Sequence, residues 1–213
     1  MITDLDEILS RIAKDFANSR YEPKVSTLSF CLRAAVYKAF IDENELVTNK
    51  LLMGAERHEW FGRRFAQYMA ERGWVCYPEH KLEFGGIGGR VDMYCVQDSR
   101  RVVYEFKFSA NTTPTNPFLP FYRRQLMYYM AIDGKINGSS PSGILLVVGF
   151  NMNSWYIESV ESVDVDQVFN ELMQRAEVFK RSIETGDLPP REKGPHCVYC
   201  TFRRECFNTT LDV

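Results

Sequence analysis

The chain has 213 residues, of which 45% are apolar, 25% charged and 14% aromatic, a profile that excludes a disordered polar chain and a collagen-like fibre. Lys plus Arg total 26 against 28 Asp plus Glu, so the formal net charge of −2 excludes a protein that coats nucleic acid through bulk positive charge. Contact with nucleic acid would need a local patch or bound metal ions. The acidic start, Met1 to Glu7, lacks the basic-then-apolar build of a signal peptide, and the longest apolar run, Gly143 to Phe150, falls far short of the roughly 18 residues of a membrane span. The expectation is a soluble, cytoplasmic protein with no membrane partner.

In chain order, Leu5, Ile8, Leu9, Ile12 and Phe16 have helical spacing and predict a helix over Asp4 to Asn18. Ser26 or Thr27 can cap a second helix to about Phe40, which carries Cys31. A long third helix is expected from about Glu45 to Arg72, stopped by Gly73 and holding His58. The period then changes. Trp74–Phe84, Arg90–Val96 and Arg101–Phe108 are rich in Val, Tyr and Phe and read as three strands, the first two joined by the flexible loop Gly85–Gly89. A Pro- and Asn-rich loop, Asn111–Pro120, leads to a helix over Phe121–Ile132. Gly143–Phe150 and Ser154–Val160 read as a strand pair, and Asp164 caps a last helix to about Glu184. The expected fold is α/β, with a mixed central sheet flanked by helices.

The stretch Tyr104-Glu105-Phe106-Lys107-Phe108 is the most informative. Residues two apart in a strand share a face, so Glu105 and Lys107 point one way and the three aromatics the other. Taken alone, such a pair describes a solvated strand face with a surface ion pair. Asp92 on the preceding strand changes that reading, because two carboxylates side by side on a sheet can hold Mg²⁺ or Mn²⁺ with open positions. Gln125 and Tyr129 are four apart and share one helix face, with Arg123 and Arg124 just before them; amide, phenol and guanidinium groups suit phosphate and base contacts. His58 is a credible further ligand, since imidazole suits Mn²⁺ and related ions.

The six cysteines favour metal or redox chemistry in a cytoplasmic chain. Cys197, Cys200 and Cys206 form C-x2-C-x5-C, three ligands where Zn²⁺ or an iron–sulfur cluster normally takes four. Cys31 is the best fourth candidate; His196 abuts Cys197 and is poorly placed to share an ion with it. Cys76 and Cys95 sit on expected strands and read as buried packing residues.

The order His58, Asp92, Glu105-x-Lys107, Gln125-x3-Tyr129 resembles the RecB-like branch of the PD-(D/E)xK nuclease superfamily, over about Gly54 to Tyr129. One cysteine before that core and three after it resemble the iron–sulfur subgroup of the branch, and at this length the small CRISPR-associated exonucleases, the fourth Cas protein family. The resemblance implies a restriction-endonuclease-like core over residues 45–186, an N-terminal helical segment over 1–44 that contributes Cys31, and a cysteine-rich segment over 187–213. It implies Asp92, Glu105 and Lys107 as catalytic residues, and His58, Asp92, Glu105 and the Phe106 carbonyl as metal ligands. It further implies Gln125 and Tyr129 as substrate-binding, and a cluster, four-iron rather than two-iron, on Cys31, Cys197, Cys200 and Cys206. The implied activity is metal-dependent hydrolysis of DNA ends, single-stranded or frayed, in the trimming of fragments for CRISPR spacer acquisition beside integrase proteins. The competing readings are a non-catalytic iron–sulfur or zinc DNA-binding module and a stand-alone viral or repair nuclease of the same branch.

Overall fold

A computed structural model of the chain describes residues 23–40 and 49–207. The helix expected over Asp4–Asn18 lies outside these residues. The described elements are α1 (Val25–Ser29), α2 (Leu32–Phe40), α3 (Asn49–Ala70), β1 (Val75–Phe84), β2 (Ile87–Gln97), β3 (Arg100–Phe108), α4 (Leu119–Asn137), β4 (Ser142–Val148), β5 (Trp155–Val160), α5 (Val165–Thr185), a 3₁₀ turn (Pro195–Tyr199) and α6 (Arg203–Phe207). No helix among the described residues is long and apolar enough to cross a membrane.

The sheet has the order β1-β2-β3-β4-β5 and is mixed: β3 and β4 are parallel, and the other neighbours are antiparallel. Helix α4 makes the crossover that a parallel pair requires. The sheet separates two cores. On one face Val25 and Leu28 of α1, Leu126 and Met130 of α4, and Leu172 and Phe179 of α5 pack on Val103, Leu145 and Val147. On the other face Phe61, Phe65 and Met69 of α3 pack on Met93, Cys95, Tyr104 and Phe106. Helices on both faces of a sheet whose three central strands carry most of the burial give a three-layer α/β/α fold.

Several local expectations are corrected. The single helix expected to Phe40 is two helices broken at Phe30–Cys31, and it starts at Val25 without a side-chain cap from Ser26 or Thr27. The break lets Arg175 of α5 enter: its guanidinium donates to the carbonyls of Leu28 (2.6 Å) and Phe30 (2.5 Å), which would have been tied up in a continuous helix. The glycine-rich segment is mostly strand. Only Gly85 and Gly86 form the turn, both at positive φ (62° and 76°), as a two-residue hairpin of the primed type needs. Cys76 and Cys95 are not separate packing residues: they face each other across β1 and β2 and form a disulfide. Asp164 caps α5 as expected, accepting from the Gln167 N–H at 3.0 Å. Helix α4 runs five residues beyond its expected end, because Asp133 is buried there with its carboxylate satisfied by Tyr94 (2.8 Å), Arg101 (2.9 Å) and Asn137 (2.9 Å).

Candidate nuclease site

The site lies where β2 and β3 part. Their antiparallel pairing runs from Gln97↔Arg100 to Met93↔Tyr104 and then stops, so the next facing residues would be Asp92 and Glu105. There the Asp92 carboxylate takes over the ladder: its Oδ2 accepts the Phe106 N–H at 2.6 Å. Side chains also change course at this point. Met93 and Cys95 belong to the α3-side core and Tyr94 to the other, yet Val91 packs with Tyr94, so strict alternation slips by one residue at Asp92. Strand β1 shows the matching irregularity. Glu79, which would face Asp92, drops out of the ladder and adopts φ +50°, an uncommon conformation for a residue with a Cβ.

Helix α3 brings His58 over this break. Its Nε2 lies 3.3 Å from Asp92 Oδ2 and its Nδ1 3.6 Å from Glu79 Oε1. The hydrogen bond with Asp92 raises the affinity of the imidazole for a proton, against the opposing effect of burial. The His58 ring is held edge-on by Phe108 (6.0 Å between centroids), which shares its strand face with Phe106.

Glu105 is fully buried. One carboxylate oxygen pairs with Lys107 Nζ, and the other has no hydrogen-bond partner. Burial, reinforced by the nearby Asp92, pushes the Glu105 carboxyl well above the usual carboxylate range, with Lys107 opposing. For Lys107, burial works to lower the pKa, but the Glu105 and Asp92 charges outweigh it and the ammonium is held. Its Nζ also sits 5.5 Å from the centre of the Tyr122 ring.

Gln125 and Tyr129 are both buried on the α4 face turned to the sheet. The Tyr129 hydroxyl donates to the Arg90 carbonyl at 2.8 Å, two residues before Asp92. This contact needs Gly89: a Cβ there would stand 2.6 Å from the Tyr129 hydroxyl oxygen. The two arginines before them are engaged within the fold, Arg123 with Glu158 and Arg124 with Glu192.

The structure thus brings His58, Asp92, Glu105 and Lys107 together, with Tyr129 and Gln125 of α4 beside them, and ties the Phe106 N–H to the Asp92 carboxylate. Glu79 was not anticipated. The signal that could have revealed it is Pro78, since proline inside a strand marks an edge or an irregularity. The donor set suits a divalent cation: the ligand atoms of His58, Glu79 and Asp92 lie within 4.8 Å of one another, and the Glu105 oxygen is a buried acceptor without a donor.

A second constellation lies beside the N-terminal turns of α4, where Phe121 meets His196 and Arg124 meets Glu192. Cys31, Cys197, Cys200 and Cys206 are free and line one cavity with Tyr37 and Phe202. Burial raises the Cys31 and Cys200 thiols above their ordinary range, and Cys200 also senses the other three cysteines. The His196 Nε2 is 3.6 Å from Cys197 Sγ, and the ring packs edge-on against Phe121 at 4.6 Å.

The fold has clear likenesses among solved structures. The protein SSO0001 is 16% identical, with a TM-score of 0.58 over 90% of this chain and 94% of its own. LHK-Exo of Laribacter hongkongensis, an alkaline exonuclease solved in complex with dAMP, is 16% identical, with a TM-score of 0.51 over 80% of this chain and 92% of its own. An exonuclease candidate from Eubacterium rectale is 13% identical, with a TM-score of 0.51 over 92% of each chain. At such identities these likenesses speak to the fold alone. No curated protein sequence matches. Residues 4–207, however, match the family description of the PD-(D/E)XK nucleases. With that match covering nearly the whole chain, and with an acid-x-Lys strand beside an aspartate on a mixed sheet, the chain belongs to the PD-(D/E)XK nuclease superfamily.

Proposed function

We propose that the protein is a metal-dependent exonuclease that hydrolyses phosphodiester bonds at DNA ends. The observation that carries this reading is the buried Glu105–Lys107 pair set beside Asp92 and His58. A bound Mg²⁺ or Mn²⁺ would supply Lewis acidity and lower the pKa of a bound water. Asp92 and Glu105 present the carboxylate oxygens for it, with the Phe106 carbonyl as the proposed backbone ligand and His58 as the nitrogen donor. The Phe106 N–H fixes the Asp92 carboxylate against β3, and the imidazole approaches the same oxygen from α3. Lys107 keeps its proton through the two acids and can orient a water or meet charge developing on phosphate. Tyr129 holds β2 at Arg90 and so fixes the approach of Asp92; Gln125 and Tyr129 remain the proposed substrate-positioning pair.

The cysteine cavity supports an iron–sulfur cluster on Cys31, Cys197, Cys200 and Cys206, because four thiols in one cavity suit iron or zinc rather than Mg²⁺, while the Glu192 carboxylate beside them is engaged by Arg175 and the Leu32 N–H. A four-iron cluster and a role in trimming fragments for CRISPR integration follow the family resemblance of the sequence. The test of the enzymatic reading is an end-labelled oligonucleotide with Mn²⁺ or Mg²⁺, beside a closed single-stranded circle. The linear strand should be shortened and the circle spared, with all activity lost to a chelator. Cleavage of the circle would make it an endonuclease, and an intact linear strand with metal present would overturn the reading.

A further inference from the structure

We propose that Tyr122 is a positioning residue for the nuclease reaction: its ring face holds the Lys107 ammonium in place, and aromatic contacts rooted in the cysteine-bearing turn hold the ring. This rests on the nuclease reading above, in which Lys107 acts on water or phosphate. A lysine is not a fixed charge by itself, because its flexible four-carbon stem carries about 2 kcal/mol of rotamer entropy. A catalytic group must nevertheless be held within about 0.5 Å of its working place. Two contacts do this here. Glu105 accepts from Nζ on one side. On another, Nζ stands over the Tyr122 ring, 5.5 Å from its centre and inside the roughly 6 Å over which a ring face attracts a cation. An ammonium has three N–H donors, so a salt bridge and a ring face leave one for the reacting groups. A ring face also suits the place better than a second carboxylate would. It attracts the cation without adding negative charge where phosphate must approach.

Tyr122 stands one turn before Gln125 on α4, so the side of the helix that carries Gln125 and Tyr129 continues as far as Lys107. The ring is held from outside the sheet. It stacks with Phe118, at 6.2 Å between centroids and 25° between planes, and meets Phe30 at 6.1 Å and a steep 66°. Phe118 in turn meets Tyr199 at 5.8 Å. Phe30 stacks on Phe121 at 5.2 Å, and Phe121 meets the His196 ring at 4.6 Å. Both routes from Tyr122 therefore end on the same 3₁₀ turn, Pro195–Tyr199, on either side of Cys197. The segment that carries the cysteines thus braces the lysine on β3. Tyr199 is the outermost ring of the set, 68% exposed, and can be trimmed without opening the core.

The experiment combines single-turnover cleavage of an end-labelled oligonucleotide with Mn²⁺ and NMR of the protein labelled at its lysine ε-carbons. Tyr122→Leu should lower the rate at saturating DNA on the order of tenfold and leave the half-saturating DNA concentration in place. Tyr122→Phe keeps the ring face and should recover most of the rate. Fluorinated phenylalanines at position 122 separate attraction from shape: each fluorine weakens the ring face with little change in size, so the rate should fall stepwise with fluorine number. The Lys107 ε-methylene signal, assigned by its loss in Lys107→Arg, should lie upfield through the ring current and return to the ordinary lysine position in Tyr122→Leu. Tyr199→Ala should move that signal part of the way, slow cleavage roughly twofold, and add nothing in the Tyr122→Leu background. Thermal melting checks the fold of Tyr122→Leu, and the fluorine series tests the ring without reshaping it. A flat fluorine series, unchanged turnover in Tyr122→Leu, an effect on half-saturation alone, or a Lys107 signal that ignores Tyr122 would each overturn the proposal, while cleavage by the wild type would leave the nuclease reading standing. An additive effect of Tyr199→Ala would overturn the brace from the turn. A wild type that cleaves no DNA but whose Lys107 signal follows Tyr122 would sink the nuclease reading and leave the contact.

Discussion

The acidic cleft and the cysteine cavity are built on opposite principles. The cleft is written on three consecutive strands: Glu79, Asp92, Glu105 and Lys107 fall within one meander, and only His58 arrives from a helix. Its geometry is enforced by the sheet, with the Phe106 N–H to Asp92 bond as part of the ladder itself. The cavity joins chain segments from both ends of the described structure. Its frame is Glu192, which accepts the Leu32 N–H at 2.8 Å across 160 residues and meets Arg175 and Arg124 from α5 and α4. A site on a sheet inherits rigidity from backbone hydrogen bonds; a site between chain ends must be held by side chains or by what it binds. The cavity is therefore the place where a cluster would contribute most to stability, and the cleft the place where substitutions should silence chemistry without unfolding the protein.

The largest expected effect sharpens this division. Asp92→Asn and Glu105→Gln should each cut the rate of DNA cleavage on the order of a hundredfold to a thousandfold, with iron content and melting temperature close to wild type. In Asp92→Asn the side-chain amide still offers an oxygen to the Phe106 N–H, so a folding defect would not be the cause. Normal turnover in either variant would remove the proposed site.

The reverse pattern is expected in the cavity. Protein purified without oxygen should be brown, through thiolate-to-iron charge transfer. Cys31→Ser should bleach it as fully as Cys197→Ser does and lower the melting temperature, although one cysteine lies near each end of the fold. Iron analysis and visible absorption check this. A colourless zinc protein would replace the cluster with a zinc site. Full colour in Cys31→Ser would break the link between the two ends.

A smaller effect tests the frame without touching a cysteine. The Arg175 side chain is only 14% exposed and serves Leu28, Phe30 and Glu192 together. Arg175→Met leaves two carbonyls and a carboxylate short of donors and should cost about 2–4 kcal/mol in denaturant unfolding. A cost below that of an ordinary surface substitution would mean the ends are held by other contacts.

The smallest effect lies at the β5 edge of the sheet. Hydrogen bonding from Arg123 lowers the Glu158 pKa in the folded state, with Tyr156 donating to the same carboxylate at 2.9 Å. A lowered folded pKa stabilises the protein above the unfolded value, 4.5, and that stabilisation is lost as the pH falls through the folded value. Arg123 is 42% exposed, so solvent screening limits the gain to about 0.5–1 kcal/mol. Glu158→Gln should flatten the difference in unfolding free energy between neutral pH and the acid limb by that amount; an unchanged pH profile would show that the pair contributes nothing.

What the sequence determined by itself was local chemistry. Period-2 alternation around Glu105 separated Tyr104 and Phe106, which do enter the α3-side core, from Glu105 and Lys107, which do not. The α/β class, the mixed sheet and the capping of α5 by Asp164 were legible for the same reason: each depends on periodicity or on neighbours a few residues away. The tertiary structure decided what depends on distant segments. Helix α1 ends early because Arg175 claims its carbonyls. Cys76 and Cys95 pair because hairpin register sets them face to face, and register follows from a two-residue turn inside a five-residue glycine-rich run. Glu79 reaches His58 because β1 leaves its ladder opposite Asp92; Pro78 marks an irregularity there but not which residue it would meet, and Tyr129 reaches β2 only where Gly89 has no Cβ. Short-range propensity shows which groups a strand presents; where a strand breaks, and what then meets across the gap, is settled by packing among elements far apart in the chain.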